Sequence, residues 1–195
     1  PEPALRGPAG AGGGFGSSVA RAGDVNGDGF GDVVIGASGE RSGEGAAYVY
    51  HGGPSGLSAT PAIVLRGPAG VVGYFGYSLA SAGDVNGDGL GEVVIGASGE
   101  RSNEGAAYVY HGGPSGLSAT PEPALRGGVF GYFGRSVASA ADVNADGFGE
   151  VVIGAFGERS SEGAAVEAPA ARSRSSRRIA LAAHARVRGR NSTTT

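Results

Sequence analysis

The sequence predicts an all-β fold made of about three four-stranded blades of a β-propeller, followed by a disordered or weakly helical tail. Three observations support this prediction. Glycine accounts for 41 of the 195 residues, and cysteine is absent, so turns are abundant and disulfides are excluded. A unit of about 60 residues occurs three times in tandem. Each unit holds short apolar runs bounded by glycine, proline or serine, which are typical of strands.

The repeats are nearly identical. Residues 1–7 recur unchanged as residues 121–127. Residues 36–61 recur as residues 96–121 with a single change, from Gly43 to Asn103. We therefore expect every unit to share one backbone plan, with boundaries at about 1–60, 61–120 and 121–165.

Four strands are predicted in each unit, taken here from the first. A short apolar run at residues 17–20 follows the Phe-Gly pair, and residues 32–37 are β-branched and end near a glycine. Residues 46–50 alternate aromatic and aliphatic side chains, and residues 62–66 form a last apolar run that ends at Gly-Pro. No helical periodicity interrupts this series.

Four strands per repeat favour a propeller, in which each blade is one four-stranded sheet packed against the next blade. A solenoid would have a shorter period, and an immunoglobulin-like sandwich needs about 100 residues for its seven strands. Propellers close with about four to eight blades. We therefore expect further blades, from the same parent chain or from other copies. The chain begins with what reads as the outer strand of a blade, which favours a piece of a longer protein.

The tail, residues 166–195, differs in charge from the repeats. Residues 1–165 hold 17 acidic residues and 8 arginines, a net charge of −9, whereas the tail holds 7 arginines and one glutamate, a net charge of +6. Three interpretations are open: a basic arm for nucleic acid or an acidic surface, a disordered extension, or the product of a reading-frame shift in a GC-rich gene.

Three acidic loops contain every aspartate of the chain. Each places oxygen-bearing side chains at positions 1, 3, 5 and 9 and a glycine at position 6, and position 7 offers its backbone carbonyl. Calcium takes about six to eight oxygen ligands, and alternating donors around a sharp glycine bend can supply them. The sequence therefore predicts about three Ca²⁺ sites. The predicted ligands are Asp24, Asn26, Asp28, Phe30 and Asp32 in the first loop, Asp84, Asn86, Asp88, Leu90 and Glu92 in the second, and Asp142, Asn144, Asp146, Phe148 and Glu150 in the third.

Other interpretations of the loops fit less well. An ordinary Asp/Asn/Gly turn explains one loop but not three, and two unit charges ~4 Å apart repel by about 4 kcal/mol at an effective dielectric of 20. Magnesium demands tighter octahedral geometry, and transition metals prefer nitrogen or sulfur. An EF-hand needs a glutamate at position 12, where this chain has isoleucine, and both EF-hand and dockerin-type modules are helical.

At this point a family resemblance emerges. Phe15-Gly16, the acidic loop at 24–32 and the Val-Ile-Gly-Ala of residues 34–37 together resemble the FG-GAP repeat, which builds the seven-bladed propeller of integrin α subunits and of related bacterial proteins. The resemblance implies an integrin α N-terminal-like propeller in which calcium is structural and lies away from the usual ligand-binding face.

The chain departs from the family pattern in several places. Serine or phenylalanine replaces the proline of the family motif, at Ser38, Ser98 and Phe156. Glutamate replaces aspartate at position 9 in the second and third loops, which we expect to lower affinity or change coordination. Ala145 replaces glycine at position 4 and is expected to strain the third loop.

These features predict a non-enzymatic, calcium-binding module for extracellular or cell-surface binding and adhesion. Its ligand would be a protein or glycan held by propeller loops. No nucleic-acid partner, membrane span, catalytic residue or further cofactor is expected. The alternatives are an accessory propeller of an exported enzyme whose catalytic part lies elsewhere, and a spacer without a ligand.

Side chains outside the loops are predicted to be structural. Phe15, Phe75 and Phe133 are expected between blades, and the tyrosines at the strand ends in sheet packing. The recurring pairs are expected to be solvated charges, with a partner-facing loop as the alternative; they are Glu40-Arg41, Glu100-Arg101 and Glu158-Arg159.

Overall fold

The computed structural model describes residues 4–7, 12–67, 72–128, 131–157 and 163–168. Within these ranges the chain forms three antiparallel sheets joined by turns and loops, with two helical turns of four residues each. The predicted all-β fold, with sheets arranged as part of a propeller, is confirmed. The tail from residue 169 onward lies outside the described residues.

The first two sheets, blade 1 and blade 2, have four strands each in sequential order. Blade 1 contains β1 (Phe15–Gly23), β2 (Asp32–Ala37), β3 (Ala46–Tyr50) and β4 (Ile63–Arg66). Blade 2 contains β5 (Ser78–Gly83), β6 (Glu92–Ala97), β7 (Ala106–Tyr110) and β8 (Leu125–Arg126). The helical turns α1 (Glu40–Gly43) and α2 (Glu100–Asn103) follow the second strand of each blade.

Blade 3 has three strands in the described part of the chain, where four were predicted. They are β9 (Ser136–Ala141), β10 (Glu150–Ala155) and β11 (Ala164–Ala168). The strand β11 pairs with β10 as far as Ala168, three residues beyond the predicted end of the third repeat. Ladder hydrogen bonds come from the main chain, so pairing continues past the point where the side-chain pattern changes.

The blades pack face to face, because alternate residues of a strand point to opposite sides of its sheet. Between blades 1 and 2, Val34 and Val49 of blade 1 lie in one apolar cluster with Phe75 and Ile95 of blade 2. Equivalent residues form a second cluster between blades 2 and 3, where Phe133 is fully buried. The predicted inter-blade position of Phe75 and Phe133 is therefore confirmed.

Phe15 differs from its two equivalents. It is only partly buried, whereas Phe75 and Phe133 are fully buried. Its packing within the blade is the same: Phe15 lies 5.4 and 6.4 Å from the ring centroids of Tyr48 and Tyr50, and Phe75 lies 5.7 and 6.2 Å from those of Tyr108 and Tyr110.

Glycines set the distance between blades. A Cβ at Gly36 would lie 2.1 Å from the carbonyl oxygen of Gly76, and a Cβ at Gly96 would lie 2.0 Å from that of Gly134. In the first of these contacts, the Ser18 hydroxyl donates to the same Gly76 carbonyl at 2.7 Å. Any larger residue at Gly36 or Gly96 would force the blades apart. Among the described residues, no helix is long and apolar enough to cross a membrane.

Candidate metal centres

The acidic loops join the first two strands of each blade, all at the same end of the sheets. The aspartate at position 1 closes each loop by accepting backbone hydrogen bonds. In the second loop, Asp84 Oδ1 accepts from the Gly87 and Asp88 N–H groups at 2.6 and 3.2 Å, and Oδ2 accepts from Gly89 at 2.8 Å. Asp24 has the same three contacts. These backbone hydrogen bonds, first of all the one from Gly29, lower the pKa of Asp24.

Positions 3 and 5 continue the turn. Asn86 Oδ1 accepts from the Asp88 N–H at 2.9 Å, and Asp88 Oδ1 accepts from the Leu90 N–H at 2.9 Å. The Asn86 amide also donates to Asp88 Oδ2 at 3.0 Å. The first and third loops repeat the two backbone contacts. Short Asx turns thus fold each loop so that its side-chain oxygens face inward.

The acidic residue at position 9 is fully buried in all three loops. Glu92 Oε2 accepts from the Val85 N–H at 2.8 Å, and Glu150 Oε2 accepts from the Val143 N–H at 2.9 Å. Asp32 instead uses both oxygens on the backbone, accepting from Val25 and Gly52 at 2.8 Å each. Position 9 therefore ties the end of each loop to its beginning.

Carboxylate oxygens converge in the second and third loops. Ligand atoms of Asp84, Asp88 and Glu92 lie within 4.8 Å of one another, as do those of the corresponding third-loop residues Asp142, Asp146 and Glu150. The carboxylates of the first loop, all of them described, form no such group. Glutamate is one methylene longer than aspartate, and its second oxygen reaches the amide at position 3. Glu150 Oε1 accepts from the Asn144 amide at 2.9 Å, and Glu92 Oε1 accepts from the Asn86 amide at 3.4 Å. The glutamates at position 9, expected to lower affinity or change coordination, lie in the two loops whose carboxylates group together.

Position 7 places successive loops against each other. A Cβ at Gly27 would lie 3.1 Å from Leu90 Cδ2, and a Cβ at Gly87 would lie 2.8 Å from Phe148 Cε1. Phe30 has no preceding loop in the chain and is exposed. The role of the three position-7 carbonyls as ligands stays a prediction.

Position 4 of the loops has a left-handed backbone. Gly27 and Gly87 have φ of 76° and 78°, and Ala145, which replaces them in the third loop, has φ of 57°. A left-handed backbone is strained for a residue with a Cβ, so Ala145 strains the third loop as expected from the sequence.

A second polar cluster was not predicted from the sequence. Glu100 is buried, accepts a short hydrogen bond from the Tyr108 hydroxyl, and forms an ion pair with Arg126 at 2.7 Å. Glu40, Tyr48 and Arg66 repeat the arrangement in blade 1. The expectation of a solvated charge is therefore wrong for Glu40 and Glu100. It holds for Arg41 and Arg101, which are exposed, while Glu158 and Arg159 lie outside the described residues. The recurrence of Glu, Tyr and Arg at fixed spacing was the available signal.

His111 lies beside the second acidic loop. Its Nδ1 is 3.3 Å from the Asn86 amide nitrogen, and its Nε2 is 3.0 Å from Glu122 Oε1. The contact with Glu92, then that with Glu122, raises the pKa of His111. His51 has the equivalent position, but Ala62 stands where blade 2 has Glu122. The His111–Glu122 pair beside the second loop thus has no counterpart at the first loop.

Comparison with known proteins gives a consistent result. The family model of the FG-GAP repeat matches residues 15–50, 75–110 and 133–166. Integrin alpha-4 of Xenopus laevis is 36% identical over 148 residues, which is 73% of this chain and 14% of that protein. Integrin alpha-5 of Xenopus laevis is 35% identical over 158 residues, 73% of this chain and 15% of that protein. Integrin alpha-6 of Homo sapiens is 33% identical over 148 residues, 74% of this chain and 13% of that protein. The chain thus spans a small part of the length of these relatives.

Proposed function

Because the chain belongs to the FG-GAP repeat family, we propose that it is a calcium-stabilised propeller module for extracellular binding or adhesion. The observation that carries the calcium assignment is the convergence of three carboxylates in the second and third loops. Calcium is structural in this proposal, and no residue of the loops is given a catalytic role.

The donor set suits calcium. Each loop offers four side chains with oxygen donors, three of them acidic, and hard oxygen donors favour Ca²⁺ over zinc or copper. Grouped carboxylates repel one another unless a cation lies among them. In loops two and three, Glu92 or Glu150 is completely buried, where a charge held only by neutral hydrogen-bond donors is costly. A bound ion offsets this cost.

Each of the first two acidic loops is hydrogen-bonded to the next blade, so an ion that stiffens the loop also stiffens the contact between blades. The Gly91 N–H of blade 2 donates to the Asp24 carbonyl at 2.8 Å, and the Gly149 N–H of blade 3 donates to the Asp84 carbonyl at 2.9 Å. Both acceptors are position-1 residues of the acidic loops. This placement supports a role for calcium in fixing the arrangement of blades.

The adhesion role draws on the relatives, which are named as integrin alpha chains. The end of the sheets opposite the acidic loops carries exposed Tyr74, Tyr77 and Phe156. Arg135 lies 5.1 Å from the ring centroids of both Tyr77 and Phe156. Aromatic and arginine side chains are enriched at binding surfaces. We assign a protein or glycan ligand to this end, and an extracellular or cell-surface location to the module.

Calcium binding is tested by thermal unfolding with added CaCl₂ and with a chelator. Ligand at 100 times its dissociation constant adds about 2.7 kcal/mol per site, which corresponds to a rise in Tm of about 5–10 °C for a chain of this size. We expect MgCl₂ to produce a smaller rise. Identical melting curves with calcium and with chelator would contradict the proposal.

Loop variants provide the matched controls. The double variant Asp88→Asn, Asp146→Asn is expected to remove most of the calcium-dependent rise, whereas Asp28→Asn alone has a smaller effect because the first loop lacks the converging group. Asp32→Glu adds the missing methylene and should increase calcium affinity in calorimetry. Adhesion is tested separately, by binding to arrays of glycans and matrix proteins.

A further inference from the structure

The asparagine at position 3 can serve a cation only if its side-chain oxygen, and not its nitrogen, is directed into the loop. In the second loop, Asn86 Oδ1 accepts from the Asp88 N–H at 2.9 Å. A backbone N–H donates to the oxygen of a side-chain amide and never to its nitrogen, so this contact identifies the end of Asn86 that faces the loop. The Asn86 nitrogen therefore needs hydrogen-bond acceptors of its own.

Three acceptors surround the Asn86 nitrogen, which has two hydrogens to donate. They are Asp88 Oδ2 at 3.0 Å, His111 Nδ1 at 3.3 Å and Glu92 Oε1 at 3.4 Å. Asp88 and Glu92 belong to the predicted calcium ligands, so an ion would compete with the amide for their oxygens. Of these three acceptors, His111 is the one outside the predicted ligand set. It can hold the Asn86 nitrogen without such competition.

The ring of His111 is held in the form that accepts a hydrogen bond at Nδ1. Its Nε2 lies 3.0 Å from Glu122 Oε1, and a carboxylate only accepts, so Nε2 carries the hydrogen. In a neutral imidazole the other nitrogen, Nδ1, then has a free lone pair. Glu92 Oε1 is 3.7 Å from Nδ1, beyond hydrogen-bond distance, so Asn86 is the nearer partner of Nδ1. Glu122 thus fixes both the tautomer and the orientation of the ring.

Strand direction brings the histidine and the glutamate to the second acidic loop. His111 directly follows β7, which ends at the same end of blade 2 as the acidic loop. Glu122 lies between β7 and β8, and its N–H donates to the Val109 carbonyl of β7 at 2.9 Å. This backbone contact fixes the position from which the Glu122 side chain reaches His111. The side chains of His111 and Glu122 are 24% and 39% exposed, so the pair lies at the edge of the loop and not in the core.

Blade 1 provides an internal comparison for the pair. Residues 44–61 and 104–121 are identical, so His51 follows its strand as His111 does. The next residue differs, because Ala62 stands where blade 2 has Glu122. The backbone at Ala62 makes the same contact with its strand, at 2.8 Å. The two blades therefore differ at this point in the side chain and not in the main chain.

The first loop lacks the contact between histidine and asparagine. His51 Nε2 is buried without a hydrogen-bond partner. Among the described residues, the Asn26 nitrogen donates only to Asp28 Oδ2, at 2.9 Å. The blade without the glutamate is thus also the blade in which the histidine does not hold the asparagine.

We propose that His111, fixed by Glu122, is a positioning residue of the second acidic loop, which holds the Asn86 amide so that its oxygen stays directed into the loop as a cation ligand. The inference rests on the proposed function in taking that cation to be calcium. Neither His111 nor Glu122 binds the ion. Partners of this kind, one step outside the ligands, typically change metal affinity by about 10- to 100-fold. The second loop is therefore oriented for its ion in a way that the first loop is not.

The experiment isolates the second loop in the full chain. Asp28→Asn and Asp146→Asn weaken the first and third loops, and calcium binding is then measured by calorimetry at about pH 8.5, above the ordinary titration range of imidazole. In this background we expect His111→Leu to weaken calcium binding by about tenfold. His111→Asn places an amide oxygen near the position of Nδ1 and should restore most of the affinity. Equal affinity in His111→Leu and its parent would overturn the proposal.

Variants of Glu122 separate positioning from charge. Glu122→Gln keeps an acceptor for His111 Nε2 but removes the negative charge, so calcium affinity should stay close to that of the parent. Glu122→Ala installs the residue found in blade 1 and should weaken binding nearly as much as His111→Leu. If Glu122→Gln weakened binding as much as Glu122→Ala, the carboxylate would act through its charge, and the positioning role would be wrong.

A measurement without metal tests the orientation of Asn86 directly. In the calcium-free chain, NMR should show slow exchange of the Asn86 side-chain amide protons with water, because His111 holds one of them. His111→Leu should accelerate this exchange, whereas the matched control His51→Leu should leave it unchanged. Unaltered exchange in His111→Leu would refute the role. If the chain binds no calcium in any form, the proposed function is wrong, and amide exchange alone decides whether His111 orients Asn86.

Discussion

Among individual residues, the buried glutamates behave least as the sequence suggests. Glu100 lies next to exposed Arg101 in a glycine-rich turn, a context that predicts a solvated charge. Its partners Tyr108 and Arg126 lie on β7 and β8, so only the folded sheet brings them together. The charge is tolerated because it has both a counter-ion and a hydrogen-bond donor.

Removing members of this cluster should destabilise the fold in a graded way. Tyr108→Phe deletes one donor and should cost about 1–2 kcal/mol of unfolding free energy. Glu100→Ala leaves the Arg126 guanidinium without its carboxylate and should cost about 3 kcal/mol. Urea denaturation measures both. Arg101→Ala, at the exposed neighbour, is the control and should change stability by less than about 0.5 kcal/mol; equal losses in all three variants would contradict this account.

The sequence predicts where the acidic loops lie, but it does not predict how the side chain at position 9 affects them. The aspartates and glycines mark the loops without ambiguity, because few other structures concentrate them at this spacing. The effect on calcium of having Glu92 where the first loop has Asp32 stays a prediction. Whether one extra methylene improves or impairs a site depends on the distance between the position-9 carboxylate and the other loop oxygens. The strand β6 sets that distance, and it cannot be derived from the sequence.

Among the elements, β2 and β3 match the predicted strands at both ends. Each of these runs consists largely of β-branched or aromatic residues and has a glycine at or near its end. Short-range sequence is therefore enough to predict both strands. The first strand, β1, extends from Phe15 to Gly23, beyond the predicted 17–20, because pairing with β2 is set by the main chain. The helical turns were not predicted, since Arg41 and Ser42 adopt φ of 50° and 59° without glycine.

Inter-blade glycines give a prediction at this scale. Gly96→Ala would place a Cβ 2.0 Å from the Gly134 carbonyl oxygen of blade 3, and backbone cannot move aside easily. We expect a loss of several kcal/mol, about 3 or more, measured by denaturant unfolding in dilute solution. Gly154→Ala is the matched control, because its new Cβ meets the Ser136 side chain in the single chain. A loss as large for Gly154→Ala as for Gly96→Ala would show that blade contact is not the cause.

Across the whole molecule, the propeller character follows from repetition alone, while the number of strands in blade 3 does not. The predicted fourth strand would come from residues that differ from the repeat, and three strands are described. The predicted boundaries of the repeats and the nature of the tail stay predictions. The repeats determine which surfaces of the blades are equivalent, and the structure shows which of these surfaces are buried.

The buried tyrosines make the stability of the fold depend on pH in the alkaline range. Burial, then the hydrogen bond with Glu40, raises the pKa of Tyr48 to about 12, and burial raises that of Tyr50 and Tyr110 as well. Below pH 10 these groups are protonated in both folded and unfolded chains. Above it the unfolded chain loses protons first, so stability should fall as pH rises from about 10 to 12.

Alkaline titration followed by tyrosinate absorbance and circular dichroism tests this expectation. The buried tyrosines should ionise together with loss of the fold. Tyr110→Phe should make stability less sensitive to pH in this range. Ionisation of all seven tyrosines at pH 10 with the fold intact would contradict it.

The strands β3 and β7 are both Ala-Ala-Tyr-Val-Tyr, and their partners β2 and β6 differ only in the first residue. During refolding, β2 therefore finds in β7 a second partner with the same side chains. Only chain connectivity discriminates against it: closing the much longer loop from Ala37 to Ala106, compared with that from Ala37 to Ala46, costs about 2 kcal/mol more. Because the repeats are nearly identical, loop-closure entropy determines which strands pair first. Pairing of β2 with β7 in place of β3 is therefore the misfolding error expected during refolding.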